Sequence, residues 1–218
     1  MGAFSAIVEF FQEGGVFMYP IMLVFALGIA IAIERYIYLT TAKKTNRSMW
    51  DRLTPLVKQN NYQQAMEISA RSKAAVGKIL SYGLSRLQVS PRRADIEIAM
   101  EEGLMEVVPR LEKRTHYLAT FANIATLLGL LGTIIGLIQA FTAVANANPA
   151  DKADLLSASI SVAMNTTAFG LMAAIPLLLT YTVLQTKTTE LVDSMEMAMV
   201  KFLNAITESR KDVARSAE

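Results

Sequence analysis

Threonines set at helical intervals inside stretches without charge are the residues of this chain best placed to do chemistry. Residues 117–150 and 155–186 contain no Lys, Arg, Asp, Glu or His, yet the first carries Thr126 and Thr133 and the second Thr166 and Thr167. In the first stretch Ala122, Thr126, Gly129, Thr133, Gly136 and Ala140 are spaced by 4, 3, 4, 3 and 4 residues, which holds them on one narrow helical face. In the second, Ser159, Ala163, Thr166 with Thr167, Gly170 and Ala174 repeat the pattern. Hydroxyl oxygens aligned inside a membrane are neutral ligands that can line a path for ions or water. Small residues at the same spacing let two helices approach closely, and Gly132-x-x-x-Gly136 is a packing motif in its own right. Spacing alone leaves both readings open. The ion-path candidates are Thr133, Thr166, Thr167 and Thr126; the packing candidates are Gly129, Gly136, Ala163, Gly170 and Ala174. A second polar edge, Ser157, Ser161 and Asn165, lies nearly opposite Thr167. Asn165 is the costliest of these to expose to lipid, so Asn165 and Ser161 are expected against a neighbouring helix or subunit.

What is missing from these stretches narrows the chemistry. A proton relay through a bilayer needs a titratable group, typically Asp, Glu or His. Glu34 and His116 only flank the apolar runs, so a carboxylate that binds a crossing ion has to come from another chain. Ser157, Ser159 and Ser161 have no nearby histidine, and the sequence shows no phosphate loop and no metal cluster, so neither an enzyme nor a resident cofactor is expected. With no cysteine, a disulfide framework is excluded. A net charge of +2 gives no reason to expect a nucleic-acid partner.

The elements that position these residues follow from hydropathy. At 53% hydrophobic and 18% charged residues, the chain is an all-α membrane protein rather than an ordinary soluble domain. Residues 14–33 form a third uncharged run, ending at Glu34 and Arg35; a spanning helix needs about 20 apolar residues. The expected order is an amphipathic helix over 1–15, transmembrane helices over 16–40, 116–146 and 156–186, a helical region over 41–115, a short loop over 147–155 and a helical tail over 187–218. Phe4, Ile7, Val8 and Phe11 give the first segment its apolar stripe. Glu9 and Glu13, with no base beside them, argue against a cleaved leader. Lys43, Lys44, Arg47 and Arg52 follow the first span and Arg110, Lys113 and Arg114 precede the second, whereas the 147–155 loop holds only Lys152. The basic residues place 41–115 and the tail in the cytoplasm, with the N-terminus and the short loop outside. Ser90-Pro91 reads as a helix start that runs without a stop into the second span, with Pro109 as a kink or local break.

On the segments YLATFANIATLLGLLGTIIGLIQAF and NTTAFGLMAAIP, the chain resembles the ExbB/TolQ/MotA family of ion-driven motor subunits. Three spans with a large first cytoplasmic loop are similar to ExbB and TolQ rather than to the four-span MotA type. The resemblance implies a homopentamer in the bacterial inner membrane whose second and third spans line a central pore. It further implies two single-span partners of the ExbD/TolR type, which supply a membrane aspartate, and a TonB-like or TolA-like periplasmic transducer. Thr133 and Thr167 fall on the family's threonines, and Gly170, Ala174 and Pro176 continue its G-x-x-x-A-x-P pattern. Two positions depart from it: Thr126 follows Ala125 where a proline is common, and Val162 stands where many proton-driven members carry glutamate. The extra hydroxyls of Thr126 and Thr166 favour Na+ over H+ as the driving ion, because sodium needs several neutral oxygens besides one carboxylate. Envelope constriction of the TolQ kind and a non-conducting scaffold are the alternatives to energising TonB-dependent transport.

Overall fold

The computed structural model describes residues 14–216 of the 218, with side chains as far as Glu208. The regular structure among the described residues is entirely α-helical: α1 Met18–Lys58, α2 Tyr62–Ala70, α3 Ala75–Val89, α4 Arg93–Glu112, α5 Thr115–Asn146 and α6 Lys152–Ser216. Three stretches, within Met18–Lys58, Arg93–Asn146 and Lys152–Glu208, are long and apolar enough to cross a membrane. The amphipathic stripe expected over 1–15 lies outside the described residues, save for Gly14 and Gly15.

The chain divides into two compact units: residues up to Arg35 with Arg114–Val183, and Tyr36–Lys113 with the chain from Leu184 onward. The first holds the apolar parts of α1, α5 and α6. Its interior is made of Met18, Ile21, Leu118, Ala122, Ala125, Ala140, Ala163, Ala173, Ala174 and Leu177, all buried. Alanine dominates that list because helices in lipid gain from close backbone approach rather than from hiding bulk. Bulky residues such as Leu127, Ile134, Ile138, Leu171, Met172, Ile175 and Leu179 are exposed. Gly28 shows the same economy on α1, where a Cβ would stand 2.6 Å from Leu177 Cδ2.

The second unit has an ordinary apolar core: Leu53, Ile79, Leu80, Leu84, Ile96, Met100, Leu111, Met195 and Phe202 are all nearly inaccessible. The chain leaves α1 through a tight helix end at which Asn60 takes a left-handed φ of 59°. The Asn61 N–H then reaches back to Leu56 O at 2.9 Å and the Asn60 N–H to Val57 O at 3.1 Å, which satisfies the last carbonyls of the helix. Asn61 in turn caps α2 by accepting from the Gln64 N–H at 3.3 Å. On α4, Glu106 gathers Lys78 and Tyr82 from α3 and Arg110 from its own next turn. Hydrogen bonds from Lys78 and then Tyr82 hold the Glu106 carboxyl below its ordinary pKa, and the same contact raises that of Tyr82.

Two expectations about helix ends are corrected. The helix expected from Pro91 into the second span is interrupted, and the interruption is not at Pro109, which sits inside α4. It falls at Lys113, with ψ 133°, and Arg114, with φ 67° and ψ −15°. Pro109 keeps a helical φ and forfeits only its own donor. A left-handed arginine costs on the order of 1 kcal/mol, and here it brings the guanidinium within 3.5 Å of Glu34. The start of α4 is Arg93 rather than Pro91, because the Ser90 hydroxyl is engaged with the Asp95 carboxylate.

Candidate ion path in the apolar helices

The hydroxyl-bearing faces of α5 and α6 meet in one seam. A Cβ on Gly129 would stand 3.2 Å from Thr167 Cα and 3.3 Å from Gly170 Cα. One on Gly170 would reach Ala125 O at 2.7 Å and Gly129 Cα at 3.1 Å. At this crossing the two backbones touch, and any side chain would part them. Two turns further, Gly136 faces Ala163, whose Cβ lies 3.1 Å from the place a Cβ would take. Ala174, 2% exposed, continues the buried line on α6.

The four threonines are treated differently. Thr167 donates across the seam to Gly129 O at 2.9 Å; it is half-buried and spans both helices. Thr133 is half-buried and donates to Leu130 O at 2.6 Å. Thr126 is exposed and donates to Ala122 O at 3.1 Å. Thr166 is 2% exposed and turned away from the others, its hydroxyl between Gly14 O at 2.7 Å and Val162 O at 3.0 Å. Its methyl lies where a Cβ on Gly132 would stand, 2.4 Å away. Ser161 is exposed and Asn165 half-buried on the free chain. The seam therefore joins Thr167 with Gly129 and Gly170, and Gly136 with Ala163, while Thr126 stays outside it and Thr166 belongs to a second junction.

That second junction was not visible in the sequence. Gly15, with φ 73°, makes a turn that L side chains rarely adopt, and the turn presents the Gly14 carbonyl to Thr166. Phe17 closes on Gly132 from the same segment. The Gly14-Gly15 pair was the one local signal of a turn, and nothing in it named a partner 152 positions away.

Chemically, a hydroxyl that donates its proton to a carbonyl keeps its lone pairs. Thr126, Thr133 and Thr167 are therefore neutral oxygen donors, fixed in orientation by helix carbonyls. No carboxylate, imidazole or ammonium lies in the apolar runs to join them.

Residues 71–197 match the sequence model of the MotA/TolQ/ExbB proton channel family. The chain belongs to that family. The matched stretch contains the whole α5–α6 seam. Among MotA/TolQ/ExbB relatives, the chain is 30% identical over 187 residues to the Tol-Pal system protein TolQ of Haemophilus influenzae, covering 82% of this chain and 80% of the relative. It is 29% identical over 200 residues to an ExbB homolog of Methanothermobacter thermautotrophicus, covering 89% of this chain and 68% of the relative. Similarity to the biopolymer transport protein exbB1 of Vibrio cholerae is 29% over 171 residues, 76% of this chain and 73% of the relative. Together with the three apolar helices, membership makes this a multi-pass membrane protein of the ExbB/TolQ type.

Proposed function

We propose that five copies of this chain form a ring in a bacterial inner membrane around two single-span ExbD/TolR-like helices, and that the assembly converts a cation gradient into mechanical work on the envelope. A partner aspartate carries the ion, while α5 and α6 supply neutral oxygens along its way. One observation supports this reading most: the seam offers a Thr167 hydroxyl oriented by a backbone carbonyl, within apolar runs that hold no carboxylate, imidazole or ammonium to complete a relay. Positive charge flanking the spans favours a cytoplasmic 41–115 region and C-terminus, with the N-terminus periplasmic.

Sodium is the favoured ion on ligand chemistry. Of the two extra hydroxyls behind that preference, Thr126 is exposed and Thr166, at 2% exposure, is closed off, so the preference rests on Thr126. The family is described as one of proton channels, so the ion is decided by experiment. Motor output that persists without sodium and collapses with a protonophore overturns the sodium reading. The favoured task is energising TonB-dependent outer-membrane transport, a reading in line with relatives named for biopolymer transport. Envelope constriction is the second reading, favoured by the TolQ relative.

The decisive test pairs Thr167→Val with Thr167→Ser. A motor keeps its assembly in both variants, loses output in the first and retains it in the second. A scaffold keeps its function in both. Copurification of a single-span protein with an intramembrane aspartate is the expected companion result, and the transducer it binds names the envelope process.

A further inference from the structure

In the unit formed by Tyr36–Lys113 and the chain from Leu184, a cavity of about 590 Å³ opens at the first residues of α3. Its wall includes Thr41, Thr45 and Asn46 of α1, Lys73 and Lys78 around the start of α3, and Arg110 of α4. We propose that this cavity binds a phosphate-bearing anion.

Three independent observations point the same way. The first is Asn46, a buried side chain only 4% exposed between the buried Leu39 and Met49 of α1. Its Oδ1 accepts the Val76 N–H at 3.2 Å, so α1 supplies the cap that α3 lacks from its own Ala74. That bond fixes the amide's orientation, because a backbone N–H can only be met by the oxygen. The Nδ2 group is left buried with no acceptor, a costly state that a bound anion at the cavity wall relieves. Asn46 also borders a smaller cavity of about 270 Å³ beside Trp50, but Ala74 and Ala75, where α3 begins, line only the larger one.

The second observation is the polarity of the site. The N-terminus of a 15-residue helix carries partial positive charge. The third is the surrounding charge. Lys73, Lys78 and Arg110 line the wall, and Glu106, the one acid paired with them among the described residues, binds Lys78 and Arg110 from outside the cavity. Lys73 is exposed and forms no ion pair among the described residues. Three cations against one carboxylate suit a dianion, and the volume admits an organic group beside the phosphate. Tyr38, on the rim, follows the last residue of the first apolar run, Ile33, by five positions. A free phosphate ester and the headgroup of an anionic lipid share the required chemistry.

The test uses the full chain and two probes. Inorganic phosphate is titrated calorimetrically into detergent-solubilised protein at constant ionic strength. In parallel, thermal stability is compared in nanodiscs of phosphatidylglycerol and of phosphatidylcholine. Asn46→Asp keeps the oxygen that caps α3 but replaces the donor with an acceptor; Lys73→Gln removes one exposed charge and leaves the core untouched. Binding of phosphate, or selective stabilisation by phosphatidylglycerol, is expected for the unmodified chain and at least tenfold weaker in both variants. Phosphate binding in detergent identifies a free anion as the source, and a response to the lipid alone identifies a headgroup. Response to neither probe, or the same response in both variants as in the unmodified chain, overturns the proposal.

Discussion

Adjacent threonines on α6 have opposite duties, and the difference is measurable. Thr166 holds the Gly14 turn from a fully buried position, so Thr166→Val leaves a carbonyl without its donor at a cost of roughly 1–3 kcal/mol. Thr167→Val breaks one bond across the seam, and such bonds in membrane proteins average about 0.6 kcal/mol. The expected outcome is a lower thermal midpoint for Thr166→Val with much of the motor output kept, and a near-normal midpoint for Thr167→Val with output lost. Thermal unfolding in detergent beside a motor-dependent uptake assay separates the two. The stripe itself was legible in the sequence, since spacing of 3 and 4 residues fixes a helical face. Which threonine faces which partner was not, because neighbours on a helix point about 100° apart and the partner of Thr166 lies at the far end of the chain.

At the scale of elements, the seam and the α3–α4 pair give opposite kinds of prediction. A methyl at Gly170 meets backbone on two sides, and backbone cannot rotate away, so Gly170→Ala is expected to cost about 1–3 kcal/mol as overpacking does. A methyl at Gly136 meets the Cβ of Ala163 at 3.1 Å and backbone no nearer than 3.6 Å, so Gly136→Ala is expected to be milder. Thermal midpoints of the two variants check the order. In the α3–α4 pair the prediction concerns pH. The Glu106 pKa is depressed in the folded chain, so its contribution to stability is complete above the unfolded carboxyl value. It fades as pH falls through the lower folded value. Glu106→Gln is therefore expected to flatten the acid limb of a stability profile while leaving neutral pH little changed, since the pair is solvent-screened. The existence of these helices was readable from their apolar periodicity. The break at Arg114 was not, since an arginine gives no sign of a left-handed φ, and the proline that does signal a break tolerates its place in α4.

For the whole molecule, most of the apolar surface remains uncovered: only 22–28% of the residues in the three membrane-spanning windows are buried within the chain. Lipid accounts for part of that surface. Asn165 and Ser161 on one edge of α6, and Thr126 on α5, are polar groups that hydrocarbon solvates badly, and the proposed ring of copies around a partner gives them cover. Native mass spectrometry of the complex is expected to show five copies of this chain, and a stable monomer carrying the partner would contradict the ring. The three-helix plan was evident from hydropathy, but the number of copies leaves no mark on one chain. The charge-free seam also has an electrical consequence. Moving one elementary charge through a membrane potential of 100 mV is worth about 2.3 kcal/mol, and the uncharged runs 14–33, 117–150 and 155–186 present no such charge to move. A potential across the bilayer therefore exerts no direct pull on the side chains of these runs. In the proposed assembly it acts instead on the travelling ion and on the charge of the partner helix, with this chain as the insulating housing against which voltage does its work.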